Sequence, residues 1–127
     1  VMSQATEEIV AMTVQAYEND DAALARQVEP LEEVIDAIKE ALKSRHISRL
    51  QSGICTVNTG IPFLDIIHNY EKISDHCSNV AVYVMMLADA DHTFDIHEYR
   101  KVLTDLRTDE FQAFTSLYEN KYLSKVI

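Results

Sequence analysis

Residues that break helices are scarce in this sequence, which has two glycines and two prolines among 127 residues. Alanine, leucine, isoleucine, glutamate and lysine are plentiful in long stretches that neither glycine nor proline interrupts. This shortage excludes a fold rich in tight turns and predicts long helices joined by few loops. With 47% hydrophobic residues, a chain of this length buries a single modest core, so we expect one domain.

Cysteine and long apolar runs are also in short supply. Cys55 and Cys77 are too few for a disulfide framework and their spacing fits no zinc motif, so we expect two reduced, buried thiols. The longest apolar run, Val80 to Ala88, has nine residues, about half of the roughly 20 that a membrane-spanning helix needs. We therefore expect no segment to cross a membrane by itself, and the first residues show no signal peptide.

Basic residues are outnumbered, with 11 Lys and Arg against 21 Asp and Glu, which gives a net charge of −10 when the histidines are neutral. Such a charge opposes binding to nucleic acid and to anionic lipid headgroups. An acidic excess attracts cations, but only a local concentration of carboxylates would make a site. The positions of the acidic residues therefore matter more than their number.

Apolar residues at helical spacing predict a first helix from Gln4 to Tyr17, which Asn19-Asp20-Asp21 ends. A second helix begins near Asp20 or Asp21 as its N-cap, and its heptad stripe extends from Leu24 to Leu42. Pro30 lies inside this stripe, so either the helix kinks there or two shorter helices abut, and the unbroken phase of the stripe favours a kink. The expected core positions of both helices are Ala5, Ile9, Met12, Ala16, Leu24, Val28, Leu31, Ile35, Ile38 and Leu42.

The segment from Ser52 to Gly60 contains both glycines and is the clearest loop. A third helix follows Thr59-Gly60, with Pro62 in its first turn, where a missing N–H is harmless, and it ends before Asp89. The stripe expected to face the core on this helix comprises Phe63, Ile66, Tyr70, Ile73, Cys77, Val80, Val84 and Leu87.

Two long stripes joined by a short loop predict an antiparallel helical hairpin, which the first helix completes as an all-α three-helix bundle. The remaining sequence predicts two short C-terminal helices, about Ile96 to Leu106 and Asp109 to Leu123. The sequence leaves their position on the bundle open. The aromatic residues expected to dock this tail are Phe111, Phe114, Tyr118 and Tyr122.

Two acidic pairs with the spacing Glu-x-x-x-Asp lie on the long helices: Glu32 with Asp36, and Glu71 with Asp75. Residues four apart on a helix are neighbours about 6 Å apart at Cβ, so each pair forms a two-carboxylate patch beside the core stripe. Hard oxygen ligands of this kind suit magnesium, calcium, manganese or ferric iron. Spacing alone favours a solvated acidic surface, and the order of glycine, proline, acidic pair and stripe adds weight to a metal site.

The third helix resembles the PhoU-like family in the segment Glu71-Lys72-Ile73-Ser74-Asp75-His76-Cys77-Ser78-Asn79-Val80-Ala81, which follows Gly60-Ile61-Pro62-Phe63-Leu64-Asp65. Members of that family have a segment of the form E-R-I-[AGS]-D-[HN]-x-x-N-[IV]-A, and Lys72 replaces the commoner arginine. The family's other acidic segment matches Glu32-Glu33-Val34-Ile35-Asp36. The resemblance covers about residues 5 to 123 and is greatest to the PhoU-like domains at the C-terminal end of bacterial sodium/phosphate cotransporters.

This resemblance implies a non-catalytic regulatory domain of phosphate uptake, in which Glu32, Asp36, Glu71 and Asp75 are the ligands of a surface metal cluster. The implied cofactor is iron or another hard divalent or trivalent ion, and the site can also stay empty. The implied partners are the chain's own transporter membrane domain, another transporter or signalling protein, or a second copy in a homodimer. Nucleic acid and direct insertion into the membrane are not expected.

Stand-alone PhoU proteins contain two three-helix repeats, whereas this sequence holds one. Residues 1–127 are therefore expected to be a single PhoU-like domain, cut from a longer membrane transporter chain. The resemblance places such a domain on the cytoplasmic side of the bacterial inner membrane.

Other classes of function are less well supported. A ferritin-type enzyme needs paired Glu-x-x-His segments on two helices, and Asp65-Ile66-Ile67-His68 is the only comparable spacing within a long helix. A thiol enzyme would need Cys77 and His76 to act together, but adjacent residues on a helix point about 100° apart. The remaining alternative is a metal-free helical module for dimerisation or docking.

Direct binding of phosphate is not expected from the sequence. There is no Gly-rich loop of the kind that cradles phosphate groups, and Lys43, Arg45 and Arg49 form only a modest basic cluster. We therefore expect phosphate to be sensed through a partner protein.

Overall fold

The computed structural model describes residues 1–53, 57–88 and 109–126. Within these ranges the helices are α1 (Met2–Glu18), α2 (Ala22–Ala25), α3 (Val28–Gln51), α4 (Val57–Ala88), α5 (Asp109–Lys121) and a short 3-10 helix, Leu123–Lys125. Helices α1, α3 and α4 pack against one another in all three pairings. The start of α3 contacts the second half of α4, and its end contacts the start of α4, so the two run antiparallel. The expected all-α three-helix bundle is confirmed.

The core lies between these three helices and consists mainly of aliphatic side chains. All four core positions expected on α1 are buried. On α3 the expected positions from Val28 to Ile38 are fully buried, and Leu42 is partly buried at the end of the stripe. Val34 is also buried, although the expected stripe does not include it.

The second long helix does not have the kink that was expected at Pro30. Asp20 has a left-handed φ of 50°, and Asp21 caps α2 by accepting a hydrogen bond from the Leu24 amide at 3.1 Å. The chain then breaks at Gln27, and Pro30 becomes the third residue of α3. The kink expected at Pro30 is wrong, and the alternative of two abutting helices is confirmed, with the break before Val28. A proline in the first helical turn loses no hydrogen bond, since the first N–H groups have no intrahelical partner.

The connection between α3 and α4 is shorter than expected. Helix α4 begins at Val57, so the predicted loop from Ser52 to Gly60 and the predicted helix start after Gly60 are both wrong at that end. Pro62 consequently lies in the second turn of α4, not the first. Gly60 lets α4 pack closely against α3, since a Cβ there would lie 2.4 Å from Nε2 of His46 on α3.

Half of the stripe expected on α4 faces solvent. The members that are buried or partly buried, as predicted, are Phe63, Tyr70, Cys77 and Val84. The members for which the prediction is wrong are Ile66, Ile73, Val80 and Leu87, which are 37–66% exposed. The inward positions in their place belong to Gly60, Ile67, Ser74, Ser78, Ala81, Val82 and Met85.

Side-chain size explains this rotation of α4. Most of the residues that replace the expected row are small, and the distance between packed helices depends on the side chains at their contact. Ser74 is 1% exposed, and its hydroxyl has no hydrogen-bond partner among the described residues. Its place in the core therefore depends on its small volume, a property that an apolar pattern does not detect.

Helix α5 lies along α3 and runs in the same direction. Near its start, Oε1 of Glu110 is 3.2 Å from Nε of Arg26, and beyond its end the carbonyl of Val126 accepts a hydrogen bond from Arg45. The helix ends at Lys121, two residues before the expected position. The helix expected from Ile96 to Leu106 lies outside the described residues.

Two buried tyrosines fix this C-terminal region against α1. The Tyr118 hydroxyl donates to Sδ of Met12 at 3.6 Å, and the Tyr122 hydroxyl donates to Oε1 of Glu8 at 3.0 Å. Lys121 also bonds to Glu8. Docking through Tyr118 and Tyr122 is thus confirmed, Phe114 is partly buried against the core, and the structure places the tail on α1 and α3.

Candidate functional site

The two acidic motifs meet at the contact between α3 and α4. Because these helices are antiparallel, Glu32 near the start of α3 lies beside Asp75, and the next turn of α3 lies beside Glu71. The Glu32 carboxyl group is hydrogen-bonded to Asp75. Lys39 lies between Asp36 and Glu71 and contacts both. The structure therefore brings all four predicted residues into one carboxylate cluster.

The environment of Glu32 strongly favours its protonated form. Burial raises the pKa of Glu32 to about 8, and further increases come from the charge of Glu29, the hydrogen bond to Asp75, and the charges of Asp75 and Asp36. Glu32 is therefore largely protonated at neutral pH and can donate the hydrogen bond to Asp75. The cluster holds more negative charge than its surroundings neutralise, so one carboxyl group retains its proton.

Lys39 is a member of the cluster that the sequence analysis missed. Its Nζ lies 3.0 Å from Oδ1 of Asp36, 3.5 Å from Oε1 of Glu40 and 3.8 Å from Oε1 of Glu71. Its side chain is 20% exposed. The hydrogen bond to Asp36 and the neighbouring negative charges raise the pKa of Lys39. Its position three residues after Asp36, on the same face of α3, was the sequence signal that could have identified it.

Glu29 is a further carboxylate at the edge of the cluster. The hydroxyl of Ser78 on α4 donates a hydrogen bond to Oε2 of Glu29. Ser78 occupies an unspecified position of the PhoU-like segment, and its hydroxyl orients an acidic side chain on α3. At the other end, Nδ1 of His68 is 3.9 Å from Oε2 of Glu71.

The donor chemistry of the cluster fits a hard metal ion. All the carboxylates supply oxygen ligands, and a positive group, the Lys39 ammonium, already lies between Asp36 and Glu71. Asp36 is 51% exposed and Glu71 is 17% exposed, so solvent reaches the edge of the cluster. Within the described ranges, no group of three or more His, Cys, Asp or Glu side chains is already arranged to hold a metal. Metal binding would therefore require side-chain rearrangement.

The basic residues near the end of α3 are used in packing. Arg49 lies over the ring of Phe63 at 5.5 Å, and one of its nitrogens is 3.4 Å from Nδ1 of His46. His46 is 1% exposed, and its ring centroid is 5.0 Å from that of Phe63. Arg45 bonds to the carbonyl of Val126, so both arginines of the basic cluster take part in packing contacts.

Cys77 and His76, the two residues that a thiol enzyme would need to act together, lie in different environments. Cys77 is 8% exposed, while His76 is exposed, as expected for adjacent residues on one helix. Burial raises the pKa of Cys77, and a hydrogen bond with Thr13 opposes that rise. Cys77 is thus a buried thiol, as predicted. Cys55 lies outside the described residues.

Among the described helices, none has the length and apolarity needed to cross a bilayer.

Comparison with known proteins identifies the family of the chain. No curated protein and no solved structure gives a significant match to the chain. The family model described as "PhoU domain" matches residues 1–84, which include α1 to α3, most of α4 and the whole carboxylate cluster. The chain belongs to the PhoU domain family.

Proposed function

We propose that this chain is a non-catalytic regulatory domain of phosphate uptake whose carboxylate cluster holds a hard metal ion. Membership of the PhoU domain family suggests a role in the regulation of phosphate transport. The observation that carries the metal proposal is the convergence of Glu32 and Asp36 on α3 with Glu71 and Asp75 on α4. In this proposal it is one domain of a longer transporter chain on the cytoplasmic side of the bacterial inner membrane, and the resemblance to cotransporter-associated domains supports that context.

The four motif carboxylates are the ligands in this proposal, and the ion is iron or another hard divalent or trivalent cation. When bound, the ion supplies positive charge that neutralises the cluster and links α3 to α4. Glu32 has to release its proton to become a ligand, because metals bind carboxylates in their ionised form. Metal occupancy would therefore change the charge and the stiffness of the face where both long helices meet.

A solvent-facing apolar row on α4 supports docking on a partner. Its members recur every seven residues and are Ile66, Ile73, Val80 and Leu87, with exposures of 37–66%. Exposed apolar rows of this kind are typical of helix-docking surfaces. The proposed partner is the chain's own transporter membrane domain, with another transporter, a signalling protein or a second copy as the alternatives.

The second candidate function is a metal-free module for dimerisation or docking. The same apolar row favours it, because that row needs no metal to bind a partner. In this case the acidic cluster would serve only as a solvated edge of the α3–α4 contact. The two candidates differ in whether regulation depends on the carboxylates.

Measurement of phosphate uptake in cells distinguishes the metal-dependent function from the metal-free module. The full-length gene product is expressed with Asp36→Asn/Glu71→Gln in cells whose own copy has been deleted. We expect the uptake rate to lose its response to external phosphate. Glu7→Gln/Glu18→Gln is the matched control, because it makes the same change in charge at exposed positions of α1 and should behave as wild type. Normal regulation in the cluster variant would overturn the metal-dependent function.

The docking surface is tested by Ile66→Ser/Leu87→Ser, which removes the two most exposed members of the row. Val14→Ser/Tyr17→Ser on α1 is the control, since these apolar residues are exposed to a similar degree. Loss of regulation in the α4 variant alone, with normal regulation in the cluster variant, would favour the metal-free module. Normal regulation in the α4 variant would exclude this row as the docking surface.

A further inference from the structure

Lys39 lies at the centre of the half of the cluster formed by Asp36 and Glu71. We propose that the Lys39 ammonium is a built-in counter-cation, which competes with a metal ion for these two carboxylates and so sets metal occupancy. The inference rests on the proposed carboxylate cluster and adds a residue outside the two acidic motifs. Metal binding then requires the metal ion to displace the Lys39 ammonium group from Asp36 and Glu71.

Geometry makes the two cations mutually exclusive. Nζ of Lys39 is 3.0 Å from Oδ1 of Asp36 and 3.8 Å from Oε1 of Glu71, which lie on different helices. A hard metal ion binds carboxylate oxygens at about 2.0 to 2.6 Å. An ion bridging Asp36 and Glu71 would occupy the space between them, where the ammonium group now lies. The metal ion and the Lys39 ammonium group are both positive, so they would also repel each other at such a short distance.

Partial burial strengthens the ion pair between Lys39 and Glu71. The side chains of Lys39 and Glu71 are 20% and 17% exposed, so this ion pair is more shielded from solvent than a surface pair. Asp36 and Glu40 add two further oxygens to the same ammonium group. A metal ion therefore has to displace a cation that already has three carboxylate neighbours.

The structure also offers Lys39 another position. Lys39 borders a cavity of about 270 Å³ that is also lined by Lys43, Leu64, Asp65, Ile67 and His68. Asp65 places a further carboxylate on the wall of this cavity. The cavity leaves room for the ammonium group to turn away from Asp36 and Glu71 when a metal ion enters.

A purely structural role for Lys39 makes a different prediction. In that case the ion pair only anchors α3 to α4, and its removal lowers stability without strengthening metal binding. Competition predicts both effects in one variant: lower stability without metal, and tighter binding of metal. Thermal unfolding and metal titration of the same proteins therefore separate the two roles.

The test is calorimetric titration of Mn²⁺ into the chelator-treated full chain, for the wild type, Lys39→Met, Lys39→Arg and Lys43→Met. We expect Lys39→Met to bind Mn²⁺ at least about tenfold more tightly than the wild type, since a like charge at about 4 Å is removed. Lys39→Arg should stay near the wild type, because it keeps the positive charge. Lys43→Met controls for charge, because it removes the same charge beside the same cavity.

Thermal unfolding supplies the second readout. In chelator, Lys39→Met should unfold at a lower temperature than Lys43→Met, and added Mn²⁺ should restore more of the loss in Lys39→Met. Binding of Mn²⁺ by Lys39→Met but not by the wild type would support competition and would show that the native cluster is not a metal site. Equal or weaker binding by Lys39→Met, or equal tightening in both Lys→Met variants, would overturn the inference while leaving the proposed metal site intact. Failure of every protein to bind Mn²⁺ would overturn both.

Discussion

Glu32 on α3 is hydrogen-bonded to Asp75 on α4, so one carboxyl group from each acidic motif is joined to the other. Such a bond needs a proton, and burial together with neighbouring carboxylates raises the pKa of Glu32 to about 8. In the next turn, Lys39 links Asp36 to Glu71. A proton and an ammonium group thus offset part of the negative charge of the metal-free cluster.

The proton on Glu32 predicts how stability depends on pH. Between the ordinary value of 4.5 and about 8, the folded protein holds a proton that the unfolded chain has lost. The contribution of Glu32 to the free energy of unfolding is therefore fully present below pH 4.5 and falls as the pH rises to about 8. Other titrating groups facing Glu32 are Glu29, Asp36 and Asp75, so the informative quantity is the difference between wild type and Glu32→Gln.

We expect the unfolding temperature in chelator to fall more between pH 5.5 and 8.5 in the wild type than in Glu32→Gln, where residue 32 stays neutral. Glu7→Gln, at an exposed position on α1, should keep the wild-type slope. Circular dichroism at a series of pH values measures these differences. Equal slopes for the wild type and Glu32→Gln would show that Glu32 is ionised in the folded protein at neutral pH.

Gly60→Ala should destabilise the protein, although alanine usually favours a helix over glycine by up to about 1 kcal/mol. The added Cβ would lie 2.4 Å from Nε2 of His46, whose side chain is buried. We expect the free energy of unfolding to fall by about 1–3 kcal/mol, the usual range for overpacking a core.

Chemical denaturation of a double-mutant cycle checks the cause of this effect. In a His46→Ala background the ring is absent, so Gly60→Ala should cost much less or become stabilising. An equal cost in both backgrounds would mean that His46 is not the residue that requires glycine at position 60.

Cys77 should react slowly with thiol reagents in the folded protein. It is 8% exposed, and burial raises its pKa, so both access and the thiolate fraction are reduced. We expect modification of Cys77 in a Cys55→Ser variant to be at least about tenfold slower in buffer than in denaturant. Equal rates, followed with a chromogenic disulfide reagent, would contradict the packing of α4 against α1.

Glu8 should control the docking of the C-terminal region. It accepts hydrogen bonds from Tyr122 and Lys121, and these contacts join the end of α5 to α1. Glu8→Ala should remove about 1–3 kcal/mol of local stability, because the partly buried Tyr122 hydroxyl loses its acceptor.

Hydrogen exchange measured by mass spectrometry locates this effect. Exchange should rise in Asp109–Lys121 and stay unchanged at the α3–α4 contact. The adjacent, exposed Glu7→Ala is the control. Uniform acceleration along the whole chain would show that Glu8 supports the bundle as a whole and is not a local tether.

The sequence predicted the parts of the fold that depend on bulky apolar residues. Ile9 on α1 and Leu31, Ile35 and Ile38 on α3 are fully buried where the helical spacing placed them. It failed on α4, where Ser74 and Ala81 face the core and Ile66 and Ile73 face solvent. The expected row on α4 followed the larger apolar residues, whereas small side chains at the contact let neighbouring helices approach closely.

The candidate site was also predicted only in part from the sequence. The motif pairs identified four carboxylates, and antiparallel packing of α3 and α4 brings them together. Glu29 was missed because its contact with Ser78 crosses between helices and depends on how α4 is rotated. Lys39 was missed although its position three residues after Asp36 was a local signal, and only its contact with Glu71 depends on the packing of α4. Two abutting helices near Pro30 were the less favoured alternative, because an unbroken apolar phase favours a kink; the structure shows that the phase can also continue across a break.

The central claim is that the motif carboxylates form one metal site. Elemental analysis of the chain purified without chelator, before and after addition of Fe³⁺ or Mn²⁺, tests it most directly. The comparison is with Glu32→Gln/Asp36→Asn/Glu71→Gln/Asp75→Asn. Stoichiometric metal in the wild type and none in this variant is the predicted result, whereas no metal in either protein, or equal metal in both, would contradict the account.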